Sequence, residues 1–416
     1  MLLHIRVPAL LWGVLTIAAA TNSVAESSAI QSAEPVLKLF VQKVIAENPR
    51  VRAAQSALEA SIANASAATQ PLYNPELFLD IENSDAQTRA VGVGQTIDWS
   101  GKKKSRAKLA ESERLAVEAN FHNVQRKVVQ ELLQGLAQYQ TGQRRMQFAE
   151  TRVDLMAEFA VLTQKRFDAG DIDQVELDLA KLAETDAKIN RATAATGLAE
   201  SRALIRSLTS RLFEDSWPQL PEVMPDLPQL SNPESLVIAL PEILAARHQV
   251  ESMDALISLR VKERRPDPTI SFTGGKEDDE KLIGLNLSIP LHIRNRYNNE
   301  VDVAIALRNE SQQLADDLMY RAHARLVSAR ERYELNQVVW KEWEVGQRSL
   351  SRQQAQLQKL WEAGELSSTD YLVQIGQSLD VQENALDLQE SLWRAWFEWL
   401  AASGRIDKWI DLGEKS

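Results

Sequence analysis

The chain has 416 residues and a formal net charge of −11, so it has no general electrostatic attraction to nucleic acid. It contains no cysteine, which excludes disulfides, thiolate metal sites and a lipid anchor on cysteine. Ala, Leu, Gln, Glu and Arg dominate the composition, as they do in proteins built from long helices.

Residues 1–25 have the pattern of a secretion signal peptide. His4 and Arg6 precede an apolar run over residues 7–20, and Ala25 ends a stretch of small residues suited to cleavage. An uncleaved N-terminal anchor is the alternative, although a run of about 14 residues is short for a membrane helix. No later stretch reaches ~18 consecutive apolar residues. The exported chain is therefore expected to be a soluble periplasmic protein or an outer-membrane barrel.

Residues 26–70 are predicted to be helical, and residues 71–99 to form a β-hairpin. Pro71 and Pro75 end the helical segment, because proline disfavours helix at its own position and at the one before it. The first strand of the hairpin alternates apolar and polar residues, as a strand with unlike faces does. The second strand is predicted over residues 88–97.

Residues 100–208 are predicted to form a long coiled-coil hairpin whose tip lies near Gly170. Residues 100–167 have one uninterrupted helical pattern, which would be ~100 Å long at 1.5 Å per residue. A glycine after a long helix supplies the left-handed residue that ends it, and helix is predicted to resume from Asp173. A proline-rich linker follows at residues 209–235.

The rest of the chain repeats this plan. A helical segment, 236–265, leads into a second β-hairpin at 266–291. A second long coiled-coil hairpin, 292–403, has its tip near Gly364, and residues 404–416 form a C-terminal tail.

The last strand of the second hairpin has the clearest alternation in the chain, after a predicted charged turn at 274–281. The residues between its apolar positions are small or polar. Such a strand suits a membrane barrel, with one face toward lipid and the other toward the lumen. The expected lipid-facing residues are Ile283, Leu285, Leu287 and Ile289.

An internal duplication underlies the plan. The tips at 166–173 and 360–367 share the order aromatic, acid, Ala, Gly, acid, aliphatic. The residues before each tip step by 3 and 4, as in a coiled-coil seam, and the second set lies 194 positions after the first (361 − 167 = 194). The chain is predicted to contain two tandem repeats of helix, β-hairpin, long helix, tip and long helix.

Four strands of ~7 to 10 residues have the right length to cross an outer membrane. They cannot close a barrel by themselves, and open strand edges are excluded from lipid. Several chains must therefore pool their strands, and a trimer would supply twelve.

These features together resemble the TolC-like outer-membrane factors, the outer membrane efflux protein family. The resemblance rests on the tandem repeats, the proline-bracketed hairpins, the Gly-Lys-Lys-Lys run at 101–104 and the twin Ala-Gly tips. Residues 287–296 look most like the branch that serves heavy-metal efflux pumps of the resistance-nodulation-division type. The family implies a mostly α fold with a small β part, built as a homotrimeric channel-tunnel in the bacterial outer membrane. A 12-stranded β-barrel would join a long periplasmic α-helical barrel.

The resemblance also implies partners. A periplasmic adaptor, or membrane fusion protein, would dock beside the tips, and an inner-membrane resistance-nodulation-division pump would deliver the cargo. The tip residues expected to take part in docking are Phe167, Gly170, Asp171, Gly364 and Glu365.

The family implies a periplasmic gate as well, constricted by acids and an aromatic near the second tip. Alignment on the tip glycine places Asp370 at the first acid and Trp361 at the aromatic, with Glu176 at the matching position in the first repeat. The second family acid falls on Val373, so a ring here would hold fewer carboxylates. The alternative is that Asp370 is an ordinary helix-start acid, stabilised by the positive end of the helix dipole.

A basic cluster follows the first hairpin, at Lys102, Lys103 and Lys104. It is either a solvated helix start or a contact with lipid head groups at the inner membrane boundary. Trp99 beside it suits an aromatic girdle, which favours the boundary.

Motifs typical of enzymes and cofactor sites are missing. Gly92 and Gly94 lack the third glycine of a dinucleotide loop, and no Gly-x-Ser-x-Gly occurs. No cofactor, metal site or catalytic residue is predicted.

The leading hypothesis is a passive, gated exit path of a tripartite efflux pump, with heavy-metal cations as cargo. One alternative is a periplasmic coiled-coil adaptor or scaffold without a channel, to which strands with a lipid-facing side are not suited. Another is the exit duct of a drug-efflux or type I secretion system.

Overall fold

The computed structural model describes residues 33–83, 87–209, 216–228 and 232–411. The predicted signal peptide, residues 1–25, lies outside the described residues. The described chain is mostly α-helical and contains one small antiparallel sheet, as predicted.

The two repeats contain the same elements in the same order. The first repeat consists of α1 (Pro35–Glu47), α2 (Pro49–Ala68), β1 (Glu76–Asn83), β2 (Gln87–Thr96), α3 (Lys102–Asp168) and α4 (Gln174–Thr209). The second consists of α5 (Pro233–Ile238), α6 (Pro241–Glu263), β3 (Thr269–Glu277), β4 (Glu280–Ser288), α7 (Asn298–Glu362) and α8 (Ser368–Ala402), and α9 (Ile406–Trp409) ends the described chain.

The first helical segment is divided at Asn48. Its side-chain Oδ1 accepts hydrogen bonds from the backbone N–H groups of Arg50 (2.9 Å) and Val51 (3.4 Å), so it caps α2 while proline occupies the next position. The buried Asn48 Nδ2 also donates to the Leu208 carbonyl, 2.9 Å away. One side chain therefore starts α2 and fixes it to the end of α4.

The sheet has the strand order β1-β2-β3-β4, and every neighbouring pair is antiparallel. Val93 pairs with Leu77 on one side and Phe272 on the other, and Phe272 pairs with Leu285. This register places one apolar residue from each strand side by side on the same face. Leu77, Val93, Phe272 and Leu285 are all exposed in the described chain.

The first strand of the second hairpin extends further than the sequence predicts. Residues 274–277 were expected in a turn, but they continue β3, and the turn is confined to Asp278 and Asp279. Glycine is required at Gly275, since a Cβ there would lie 2.3 Å from the Arg89 carbonyl on β2. The glycines that suggested a turn instead allow two strands to approach closely.

The long helices have different packing partners at their two ends. Near the sheet, α3 contacts α2 and α6, and α6 also contacts α7. Toward the tips, α3 contacts α4 and α8, and α8 also contacts α7. In the half nearer the tips, α4 and α7 therefore lie at the two outer edges of the row α4-α3-α8-α7.

The main core lies at mid-length of the helices. It includes α1, the short helices α5 and α9, and the aromatic end of α8, with Trp396, Phe397 and Trp399 fully buried. The helix α5 begins within the predicted linker and continues into the predicted helical segment, and α9 lies in the predicted tail. A second, smaller core occupies the tips.

Candidate functional site at the helical tips

Both tips have the same backbone geometry. Gly170 and Gly364 have φ values of +80° and +76°, which confirms that a left-handed glycine ends each long helix. At the first tip the Gly170 N–H donates to the Phe167 carbonyl and the Asp171 N–H to the Arg166 carbonyl, both at 2.9 Å. The same pair of bonds recurs at Gly364 and Glu365, at 3.0 and 2.9 Å. This is a Schellman motif, which satisfies the last carbonyls of the helix.

The two acids predicted at the gate, Asp370 and Glu176, lie in the first turns of α8 and α4. The Asp370 N–H donates to Ser367 Oγ at 3.0 Å, and the Ser367 hydroxyl donates to Asp370 Oδ2 at 2.7 Å. In the first repeat the Glu176 N–H donates to Asp173 Oδ1 at 3.0 Å. Both acids thus occupy the N3 position of a helix cap. Asp370 is exposed and Glu176 is half-buried.

The structure differs from the sequence prediction at Trp361. Its side chain is only 4% exposed, because the ring stacks on Tyr371 (centroids 4.8 Å apart) and packs against Phe159 at 4.7 Å. Burial, with Glu362 and Glu158 nearby, raises the pKa of Tyr371 to about 12. In this chain Trp361 is therefore a core residue of the tip, and its aromatic face is covered by its own chain.

One contact between the two tips was not predicted from the sequence. Arg166 Nη2 donates to the Trp361 carbonyl at 2.8 Å, and the guanidinium carbon lies 5.4 Å from the centre of the Trp361 ring. The arginine thus joins the end of α3 to the end of α7. Leu360 stands at the matching position of the second repeat, so the bond has no counterpart there. One arginine among many gives no signal that it bridges two repeats.

The expected docking residues lie together at the tips. Gly170, Asp171, Gly364 and Glu365 are exposed, and Phe167 is half-buried. Val373, at the place of the second family acid, is also exposed. The surface formed by the two tips is therefore acidic at its turns.

At the other end of α3, the basic cluster divides. Lys103 and Lys104 are exposed and so is Trp99. Lys102 is a correction: its ammonium is buried, donating to Asp267 Oδ2 at 2.8 Å and to the Arg265 carbonyl at 2.7 Å. An ion pair within the chain keeps it away from lipid head groups.

Asp98 fixes the start of α3. Its two carboxylate oxygens accept the backbone N–H groups of Lys102 and Lys103 at 2.9 and 2.8 Å. Burial acts to raise the pKa of Asp98, but these backbone hydrogen bonds outweigh burial and lower it. The ionised carboxylate is therefore the form that caps this helix.

The predicted lipid-facing residues share one side of the sheet. Ile283, Leu285 and Leu287 lie on β4 and are exposed, whereas Ile289 is exposed just beyond the end of the strand. The opposite face holds Phe78 over Gly92, where a Cβ would lie 2.3 Å from the phenyl ring.

Comparison with known proteins identifies relatives over part of the chain. The sequence profile of the outer membrane efflux protein family matches residues 40–211. A 259-residue stretch is 27% identical to the cobalt-zinc-cadmium resistance protein CzcC of Cupriavidus metallidurans, and this alignment spans 58% of the chain and 60% of CzcC. Residues 40–211 are thus similar to the outer membrane efflux protein family, and CzcC is a relative over part of the chain.

Solved structures of outer-membrane channels share the fold of this chain. CusC, described for its folding and transmembrane channel formation, superposes with a TM-score of 0.75 at 15% identity, covering 90% of this chain and 93% of CusC. The Campylobacter jejuni CmeC outer membrane channel gives 0.76 at 14% identity, over 97% of this chain and 94% of CmeC. The fold is that of the TolC-like channels.

The matching profile and the superposed channels are those of outer-membrane proteins. The family is one of transport proteins rather than enzymes. Among the described helices, none is both long enough and apolar enough to cross a bilayer. Within the described ranges, no group of three or more His, Asp or Glu side chains could hold a metal ion.

Proposed function

We propose that this protein is a trimeric outer-membrane channel that forms the passive exit path of a tripartite efflux pump. The observation that carries the proposal is the four-stranded sheet. Its apolar face is uncovered, and the outer edges of β1 and β4 pair with no other strand in the described chain. Such edges are not tolerated in lipid unless another chain pairs with them. Three chains would close a 12-stranded barrel.

The cargo we propose is a heavy-metal cation. The support is the 27% identity to CzcC, a cobalt-zinc-cadmium resistance protein, over 58% of the chain. Since a passive channel has no energy source of its own, an inner-membrane pump of the resistance-nodulation-division type would drive transport.

A periplasmic adaptor would connect that pump to the helical tips. The two turns expose Asp171 and Glu365 beside left-handed glycines that are themselves exposed. A partner could therefore approach the backbone closely at Gly170 and Gly364.

The gate would lie where the tips of three chains converge. Three exposed Asp370 carboxylates around one axis repel one another unless a cation lies between them. This ring would attract cations, and added salt would screen its field. Closure must then depend on other contacts between the tip residues of neighbouring chains.

Single-channel recording in planar bilayers tests the function and the gate together. The wild-type trimer is expected to conduct and to prefer cations. Asp370→Asn should lower the cation preference and the block by divalent ions, because the ring loses its charge. Glu176→Gln should do less, since it alters the first repeat.

Ser367→Ala is the matched control for the helix cap. It removes the hydroxyl that accepts the Asp370 N–H, at a cost of about 1 kcal/mol, but keeps the carboxylate ring. If Asp370→Asn leaves selectivity and divalent block as they are in wild type, Asp370 only caps α8. An absence of conductance in the wild-type protein would contradict the channel itself.

A further inference from the structure

The two repeats meet along a charged helical seam, formed where α3 packs on α8. Arg144 Nη1 donates to Gln389 Oε1 at 2.6 Å, and Arg145 pairs with Asp387 and with Glu390, the latter at 3.0 Å. Closer to the tips, Arg152 lies between Asp186 of α4 (3.3 Å) and two acids of α8, Asp380 at 3.4 Å and Glu383 at 3.5 Å.

The duplication gives α7 a surface that corresponds to the arginine side of this seam. Positions 144, 145 and 152 correspond, 194 residues later, to Val338, Val339 and Gly346. Val338 is 60% exposed and Val339 is 52% exposed in the described chain. Leu335 beside them is 69% exposed, although its counterpart Thr141 is 2% exposed. We call Leu335, Val338, Val339 and Gly346 the α7 surface.

The acid side of the seam has a counterpart on α4. Glu383, Asp387, Gln389 and Glu390 of α8 correspond to four residues without charge, all of them exposed. These residues, which we call the α4 surface, are Ile189, Thr193, Ala195 and Thr196.

We propose that the α7 surface of one chain binds the α4 surface of a second copy, in the arrangement that α3 and α8 have within one chain. This seam between chains is held by packing of aliphatic and small side chains, whereas the seam within the chain is held by arginine pairs. The proposal rests on the trimer of the proposed function and adds which residues meet.

A second copy is the occupant because the two surfaces cannot meet within one chain. They lie on α4 and α7, the two outer helices of the row α4-α3-α8-α7. An interface between two different surfaces of identical chains is heterologous, and it closes a ring when the rotation permits. Since each repeat has the same hairpin geometry, the contact within the chain shows the direction in which the next hairpin packs.

The chemistry of the two surfaces is consistent with mutual burial. Replacing both partners of a polar pair by apolar groups leaves no group unpaired, whereas replacing one would leave a charge without a partner. The arginines are absent from the α7 surface, and three of the four acids that pair with arginine in the seam have no acidic counterpart on α4; the exception is Asp380, which corresponds to Asp186. Asp186 nearby is already paired with Arg152 of its own chain.

Cysteine cross-linking tests the proposal, and a chain without native cysteine has no background. Val339→Cys and Thr193→Cys are placed on two co-expressed chains that carry different tags, and intact outer membranes are treated with a short bis-maleimide. A product containing one chain of each kind is expected on a denaturing gel. Glu344→Cys is the control for the α7 side, because Glu344 is exposed but lies about 140° around the helix from Val339, and it should not react with Thr193→Cys.

A charge-pair rescue provides a second, independent readout. Val339→Arg alone should reduce the yield of trimer several-fold, and Thr193→Asp on the same chain should restore it, because the pair reproduces Arg145 and Asp387 across the seam. If trimers form normally but Glu344→Cys gives the cross-linked product, or Thr193→Asp gives no rescue, the proposed seam is wrong and the channel proposal still stands. Protein that never assembles beyond a monomer in detergent would overturn both.

Discussion

Asp267 is the residue through which the two repeats contact each other beneath the sheet. It accepts hydrogen bonds from Tyr73 Oη at 2.7 Å and Lys102 Nζ at 2.8 Å, and both of those residues belong to the first repeat. Its side chain is 4% exposed and that of Lys102 is 11% exposed. Removing one partner of a buried pair leaves the other charge without compensation.

Asp267→Ala is therefore expected to lower the free energy of unfolding by about 3–5 kcal/mol. Guanidinium unfolding in detergent micelles would measure the loss. Lys102→Met combined with Asp267→Leu is the control, because it removes both charges and should be markedly milder. Equal losses in the two variants would indicate that packing, not the charge, matters at this position.

For single residues, the sequence predicted the position within a helix better than it predicted which residues the side chain contacts. The spacing from each tip glycine correctly placed Asp370 and Glu176 in matching helix starts. The same spacing could not show whether Trp361, at the end of a seam, packs within its own tip or faces a neighbour. The buried pair of Lys102 was hidden for a similar reason, since its partner lies 165 positions away.

Among the secondary-structure elements, the second β-hairpin has the clearest separation between an apolar face and a polar face. Leu285 pairs with Phe272 on the uncovered apolar face, and Asn286 beside it pairs with Ser271 on the opposite face. Period-2 alternation was sufficient to predict this division, because successive strand residues point to opposite sides. The turn was predicted less well, since glycines that separate crowded strands resemble those of a loop.

Leu285→Arg is expected to reduce assembled trimer strongly, at a cost of about 2–4 kcal/mol near the membrane midplane. Asn286→Arg should be tolerated, because its side chain would face the lumen. The measurement is the amount of trimer that resists dissociation on a detergent gel at increasing temperature. Comparable losses from both substitutions would argue against lipid contact on the Leu285 face.

For the whole molecule, the duplication extends the strand register from one chain to the next. Val93 of β2 pairs with Phe272 of β3 within the chain. Leu287 occupies the place of Val93 in the second repeat. Leu79 occupies the place of Phe272 in the first, because Leu79 pairs with Val91 as Phe272 pairs with Leu285. If β4 pairs with β1 of a neighbour as β2 pairs with β3, then Leu287 lies opposite Leu79 of that neighbour.

Leu287→Cys with Leu79→Cys should therefore form a disulfide between chains on mild oxidation, since directly opposite residues have Cβ atoms about 4.5–5.5 Å apart. The expected product is a covalent trimer on a non-reducing gel. Leu287→Cys with Phe78→Cys is the control, because Phe78 points to the other face. Reaction of the control pair alone would show that the register between chains is shifted by one residue.

Arg166 has a mechanical consequence for a ring of three chains. Each chain ties its own two hairpins together at the tip, through a bond that the second repeat cannot make because Leu360 replaces the arginine. Of the six junctions around the periplasmic mouth, three would be tied and three untied, in alternation. The mouth would then consist of three rigid units, one from each chain, rather than six independent hairpins. It would widen when neighbouring chains separate along the borders between them.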